Sequence, residues 1–179
     1  MTEIRLTDFS LSDEQELLLE SLFHGDADEC IIHYISDFRS AKILRELTDT
    51  LCKNFGMIPK WRTRIVLILD ELHNNAIEYG SKTGDINTFI FRLERKSQNV
   101  FHLEASVIDS WFGPKAKKAF QMEQIRKEHE NEDFSHHSSI RGRGLFLIIS
   151  QLVDALIFAD VPDRGLKVTV VKDLILEEE

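Results

Sequence analysis

Cysteine is scarce in this sequence, which holds Cys30 and Cys52 and no others among 179 residues. Two cysteines cannot build a disulfide framework, so a reducing compartment is the simpler expectation. The longest apolar runs, such as 65–69 and 145–149, fall far short of the roughly 20 residues that cross a bilayer. The N-terminus lacks a basic stretch followed by an apolar run, so no secretion signal is predicted. We therefore expect a cytoplasmic protein with no membrane partner.

Basic residues are outnumbered in the chain. Lysine and arginine total 22 against 31 aspartates and glutamates, which gives a formal net charge of −9. A phosphate backbone would be repelled by this charge, so direct binding of nucleic acid is not expected. Hydrophobic residues at 42% and charged residues at 30% are typical of a globular domain and not of a disordered chain. The length suits one domain with its own core.

Helical and strand periodicities alternate along the chain, without an internal repeat or a low-complexity linker. This order, with hairpins at two places, predicts an α/β (α+β) two-layer sandwich. Its helices would cover one face of a mixed, mostly antiparallel sheet. In chain order we predict a strand at 29–38, helices at 41–55 and 60–79, hairpin strands at 85–95 and 100–109, a charged helix within 115–133, a buried helix at 145–154, and strands at 155–160 and 166–176.

The first segment that carries chemistry is 70–80, DELHNNAIEYG. On a helix, Glu71, Asn75 and Glu78 are spaced i, i+4 and i+7 and share one face. The amide oxygen of Asn75 suits Mg²⁺, which prefers oxygen ligands, and Glu71 can accept a proton from an attacking hydroxyl. The alternative is the solvated face of an ordinary amphipathic helix, and the segment alone does not decide between the two.

The second segment, 107–114, reads VIDSWFGP. Asp109 ends an apolar strand just before a chain reversal, a position suited to the mouth of a pocket. A carboxylate there can accept a hydrogen bond from the exocyclic amine of adenine. The alternative is that Asp109 caps the turn or the following helix, as aspartate often does.

The third segment, 138–148, reads SSIRGRGLFLI. Gly142 and Gly144 are spaced G-x-G before a predicted helix, where backbone N–H groups and the helix N-terminus can hold a phosphate. Arg141 and Arg143 can add charge-assisted hydrogen bonds to a γ-phosphate. The alternative is a flexible turn with a basic patch, because an isolated G-x-G is common.

In this order the three segments resemble the N box, the adenine-binding box and the final glycine box of the GHKL (gyrase, heat-shock chaperone and histidine-kinase) superfamily. The resemblance is strongest to the stand-alone anti-sigma-factor serine kinases of the RsbW type. Its most specific part is the pattern of Glu71, Asn75, Ala76, Tyr79 and Gly80. It implies the Bergerat, or histidine-kinase-like ATPase, fold for a kinase-like domain at 29–179, with 1–28 as an N-terminal extension of unknown role.

The resemblance also implies roles for individual residues. Glu71 would be the catalytic base toward a serine hydroxyl, and Asn75 would bind Mg²⁺. Asp109 would bind the adenine of ATP, with Gly113 in the same box. The phosphates would be held beneath a mobile lid by the glycine box, whose residues are Arg141, Gly142, Arg143 and Gly144. The implied partner is an anti-anti-sigma antagonist protein, and a sigma factor and a second copy in a homodimer are further expectations.

The second box departs from the superfamily pattern at Trp111. The pattern is D-x-G-x-G, and Trp111 stands where the first glycine is expected. Its bulk would occupy space near the nucleotide, and tryptophan disfavours the backbone that glycine adopts there. The alternative function is therefore a nucleotide-poor pseudo-kinase that only binds protein. A third hypothesis, the detached catalytic domain of a histidine kinase, is disfavoured because no upstream dimerising helix with a phospho-acceptor histidine is found.

Overall fold

Six strands form one sheet in the part of the chain that the structure describes. The structure is a computed structural model that describes residues 2–6, 9–131 and 152–175. The strands are β1 (Thr2–Leu6), β2 (Ala27–Ile35), β3 (Ile86–Ser97), β4 (Val100–Ile108), β5 (Ala155–Val161) and β6 (Gly165–Ile175). Their order in the sheet is β1-β2-β3-β4-β6-β5. The β1–β2 pair is parallel and every other pair is antiparallel.

Two of the helices in the described chain begin at residues that favour a helix start. They are α1 (Asp13–Glu20), α2 (Phe38–Asn54), α3 (Pro59–Asn75), a π-helical segment (Ala76–Gly80) and α4 (Ala119–Asn131). Asp37 caps α2 by accepting the backbone N–H of Arg39 at 2.8 Å. α3 starts at Pro59. Proline is tolerated there because an N–H in the first turn of a helix would make no hydrogen bond within the helix.

The core lies between one face of the sheet and the helices. Along β3, Phe89, Phe91 and Leu93 are fully buried, while Arg92 between them is exposed. They join one hydrophobic cluster with residues from α2 and α3, such as Leu44 and Leu69. This alternation has the period of two that places successive side chains on opposite faces of a strand. The predicted sandwich with a mixed, mostly antiparallel sheet is confirmed.

The segment 1–28 contributes two elements to this sheet and core. β1 pairs with β2 from Thr2↔Cys30 to Leu6↔Tyr34, and Leu19 and Phe23 at the end of α1 are buried in the common cluster. No helix of the described residues is long and apolar enough to cross a bilayer. The predicted helix at 145–154 falls largely outside the described residues.

One element differs from its prediction. The helix expected over 60–79 is α-helical only to Asn75, and Ala76–Gly80 continues as a π-helix. The N–H of Ser81 bonds to the carbonyl of Ala76 at 2.9 Å, which is the i→i+5 pattern of a wider turn. The end of this turn packs against the loop that follows β4, where the N–H of Gly113 donates to the carbonyl of Gly80.

Candidate active site

A cavity of about 600 Å³ opens between the end of α3 and the ends of β4 and β6. This volume lies within the range of small-molecule sites. Asn75 and Asp109, predicted from two separate segments, both line it together with Gly80. Its apolar lining comes from Leu72, Val107, Met122, Ile125, Leu166 and Val168.

Asn75 and Glu71 are in direct contact at one side of this cavity. The Nδ2 of Asn75 donates to the carbonyl oxygen of Glu71 at 2.7 Å and approaches its Oε1 at 3.3 Å. Both side chains are half-buried. Because the amide nitrogen is directed at Glu71, the amide oxygen of Asn75 is left for a ligand. Glu71 lies one helical turn before Asn75 and is not part of the cavity lining.

Asp109 is held by the backbone on one of its two carboxylate oxygens. Its side chain is buried, with 7% of the residue exposed, and Oδ1 accepts the N–H groups of Trp111 at 3.1 Å and Leu166 at 2.9 Å. The other oxygen, Oδ2, lies against Gly80. Burial raises the pKa of Asp109, and the two backbone hydrogen bonds oppose that shift. The carboxylate is therefore fixed in orientation, with one oxygen left for the cavity.

Three glycines let separate parts of the chain meet at Asp109. A Cβ on Gly80 would overlap the Asp109 carboxylate, and a Cβ on Gly165 would overlap the Asp109 backbone. A Cβ on Gly113 would overlap the backbone from Tyr79 to Ser81. The sequence indicated a helix end at Gly80 and a turn at Gly165, and no local signal shows that both also make room for Asp109.

A polar network missed by the sequence analysis joins the same segments. The backbone N–H of Ser110 donates to the hydroxyl of Ser81 at 3.0 Å, and that hydroxyl donates to Oδ1 of Asn87 at 2.5 Å. The hydroxyl of Ser110 donates to Oδ2 of Asp85, which also accepts the N–H of Lys82 at 2.9 Å. The loop after the π-helix is thereby joined to the residue that follows Asp109.

Trp111 adopts the backbone conformation that a glycine would take. Its φ is +62°, in the left-handed region that bulky residues rarely occupy. Its indole lies beneath the ammonium of Lys118, whose Nζ is 3.7 Å from the ring centroid, and it is not among the residues that line the cavity. The tryptophan is therefore not part of the cavity wall.

The predicted residues of the glycine box fall outside the described chain. Arg141, Gly142, Arg143 and Gly144 lie in 132–151, where the structure describes nothing. Gly113 is described, and it packs against the end of the π-helix. Among the described residues no group of three or more His, Cys, Asp and Glu side chains could hold a metal.

Two comparisons with known proteins bear on this arrangement. A search of curated proteins gave no match. Residues 36–172 match the family model described as the histidine kinase-like ATPase domain. The matched region runs from the end of β2 into β6, covers well over half of the chain, and contains all three predicted segments. The chain therefore belongs to the histidine kinase-like ATPase domain family.

Proposed function

We propose that this protein binds Mg-ATP and acts as a serine-protein kinase of a bacterial partner-switching pathway. Its substrate would be a serine of an anti-anti-sigma antagonist, and it would sequester a sigma factor as an anti-sigma factor. The observation that carries the proposal is the meeting of Asp109 and Asn75 in one cavity, since these residues serve two different parts of a nucleotide.

The cavity fits an adenine base at Asp109. Backbone N–H groups hold Oδ1, so the carboxylate cannot rotate freely, and Oδ2 is left to accept a hydrogen bond from the exocyclic amine. Apolar side chains such as Leu72 and Val168 provide surface for the flat faces of the base. Gly80 lets the carboxylate lie directly against the end of the π-helix, because a Cβ there would overlap it.

Asn75 fits a magnesium ion that is shared with phosphates. Mg²⁺ commonly takes only one or two protein oxygens and completes its shell with phosphate oxygens and water. The amide of Asn75 has its nitrogen engaged by Glu71, which fixes the side chain so that its oxygen can serve as a ligand. An isolated amide ligand suits a metal that arrives with the nucleotide.

Glu71 would act on the protein substrate. When bound, ATP supplies the phosphoryl group, and its transfer depends on positioning and on charge stabilisation. The carboxylate of Glu71 is in contact with Asn75, so a serine hydroxyl brought to this edge of the cavity would meet the base beside the metal ligand. Glu71 would accept the hydroxyl proton as the oxygen attacks.

Thermal unfolding with and without Mg-ATP tests nucleotide binding. A micromolar Kd should raise Tm by several degrees at millimolar ATP, because a ligand of the folded state stabilises it by RT ln(1 + [L]/Kd). Transfer of labelled phosphate to an anti-anti-sigma protein tests the kinase reaction. Glu71→Gln should abolish transfer and keep the Tm shift, while Glu46→Gln on the exposed face of α2 should change neither. Phosphotransfer by Glu71→Gln would refute its role as the base.

The second candidate function is a protein-binding module that lacks efficient nucleotide use. The observation that favours it is Trp111, a bulky residue with φ of +62° where the family has glycine. On this hypothesis Mg-ATP gives no Tm shift, and the protein still binds its antagonist. The same two measurements therefore separate the two functions.

A further inference from the structure

The segment after Gly113 brings two lysines to the cavity. Lys115 and Lys117 both line it, together with apolar residues of β4 and β6. The sequence predicts phosphate binding only at 141–144, and it predicts no role for these lysines. Their position in the cavity depends on the path of the backbone after Gly113.

Backbone contacts fix the course of this segment. The N–H of Gly113 donates to the carbonyl of Gly80 at 3.0 Å, and the N–H of Lys115 donates to the carbonyl of Tyr79 at 3.3 Å. Any side chain at Gly113 would overlap the Tyr79–Ser81 backbone. The backbone at Gly113 and the end of the π-helix are therefore in direct contact. Lys115 is thus carried on backbone that is hydrogen-bonded to the π-helix, and Lys117 follows two residues later.

The charges of the two lysines are not neutralised within the described residues. No ion pair of either ammonium with a carboxylate is present there, although the chain carries 31 acidic residues. The Nζ of Lys115 lies 5.5 Å from the ring centroid of Tyr79, which keeps it near the cavity. Lys118 differs, because it is stacked on Trp111 and does not line the cavity.

We infer that Lys115 and Lys117 form a phosphate-binding subsite that takes the polyphosphate chain of a nucleoside triphosphate. The inference rests on the proposed binding of ATP. Two acidic residues, Asp109 and Glu78, also line the cavity, so an anionic ligand needs cations close by. Two ammonium groups that line the same cavity supply them, and charge-assisted contacts of this kind are among the stronger hydrogen bonds.

Titration calorimetry with Mg-ATP and with adenosine tests the subsite. Lys117→Met and Lys115→Met should each weaken ATP binding about tenfold, the size expected for one charge-assisted contact. Adenosine has no phosphate, so its affinity should stay within twofold of the wild-type value. Lys60→Met, at an exposed position at the start of α3, is the matched control and should alter neither ligand.

The outcomes distinguish this inference from the function on which it rests. Wild-type protein that binds neither ATP nor adenosine would overturn both. Wild-type protein that binds ATP, with both lysine variants binding it equally well, would overturn the subsite and leave nucleotide binding intact. Equal losses of ATP and adenosine affinity would also overturn it, because they indicate a distorted cavity and not a lost phosphate contact.

Discussion

The hydroxyl of Ser81 accepts the backbone N–H of Ser110 at 3.0 Å and donates to Oδ1 of Asn87 at 2.5 Å. Ser81 directly follows the π-helix, and Ser110 directly follows Asp109. One buried hydroxyl therefore joins the segment that carries Asn75 to the segment that carries Asp109. It is one of the contacts, with the Gly113–Gly80 hydrogen bond, that set the relative position of two predicted ligand-binding residues.

Ser81→Ala should lower the free energy of unfolding by about 1–3 kcal/mol. The change leaves the backbone N–H of Ser110 and the side-chain Oδ1 of Asn87 without their partner. Leaving a buried polar group unsatisfied costs about 1–3 kcal/mol. Urea unfolding measures it. Ser97→Ala, at an exposed position at the end of β3, is the control and should stay within about 0.5 kcal/mol of wild type. Equal stability of the two variants would contradict the network.

Asp109→Asn should weaken nucleotide binding strongly without destabilising the protein at pH 7. Burial raises the pKa of Asp109. The stability that this group contributes is therefore fully present below the pKa of the unfolded chain, and it is lost as pH rises through the higher pKa of the folded protein. Asparagine has no charge to bury, and its oxygen can keep the two backbone N–H groups. Its amide nitrogen would face the exocyclic amine of adenine, so two hydrogen-bond donors would meet and no hydrogen bond could form. The affinity for ATP should fall about 100-fold.

Calorimetry and thermal unfolding check the Asp109 prediction together. Asp163→Asn is a suitable control, because Asp163 is exposed and has φ of +58°, a conformation that asparagine tolerates. The control should bind ATP as the wild type does. A large fall in Tm for Asp109→Asn would mean that the charge itself supports the fold.

Gly80→Ala should destabilise the fold and remove nucleotide binding at once. The new methyl group would overlap the carboxylate of Asp109, and overpacking of this kind costs about 1–3 kcal/mol. Gly25→Ala is the matched control, because a methyl group there meets nothing within 4 Å. Similar Tm values for the two variants would show that Asp109 can move aside.

Local signals in the sequence predicted much of the fold. The alternation of Phe89, Phe91 and Leu93 identified the buried face of β3, and Pro59 identified the start of α3. Both signals depend only on residues that are close together in the chain, so they can be read from the sequence. The six-stranded order and the parallel pairing of β1 required the structure.

The site was predicted only in part, because its precise form depends on tertiary contacts. Helical spacing placed Asn75 and Glu71 on one face, yet the π-helix that follows them is bonded through Ser81 and packed against Gly113. A glycine that makes room for a distant carboxylate, as Gly80 does, looks the same in sequence as one that ends a helix. His73, four residues after Leu69 on the same face of α3, is buried, which the polar ring of histidine does not indicate in sequence.

His73→Phe should protect the protein against acid. Burial lowers the pKa of His73 to about 3, and its Nε2 has no partner among the described residues. The unfolded chain takes up a proton below about pH 6.5 while the folded chain does not, so stability is lost as pH falls from that value toward 3. By pH 5 the loss from this one group should be about 2 kcal/mol.

Urea unfolding at pH 7 and pH 5 measures the effect of His73. The variant should lose about 2 kcal/mol less than wild type between the two pH values, even though it lacks the hydrogen bond to the Tyr34 hydroxyl. His24→Ala, at an exposed position, is the control and should lose as much as wild type. An identical pH dependence for His73→Phe would mean that His73 becomes protonated in the folded protein.

Trp111→Gly should leave ATP affinity within about threefold of wild type and change stability little. Glycine relieves the φ of +62°, which costs a bulky residue on the order of 1–3 kcal/mol. The variant also loses the contact with Lys118, worth about 0.5–2 kcal/mol. These two effects oppose each other. The indole does not line the cavity, so its removal should open no room for the nucleotide. A rise in ATP affinity of tenfold or more would show that Trp111 obstructs the site, and would favour the protein-binding module over the kinase.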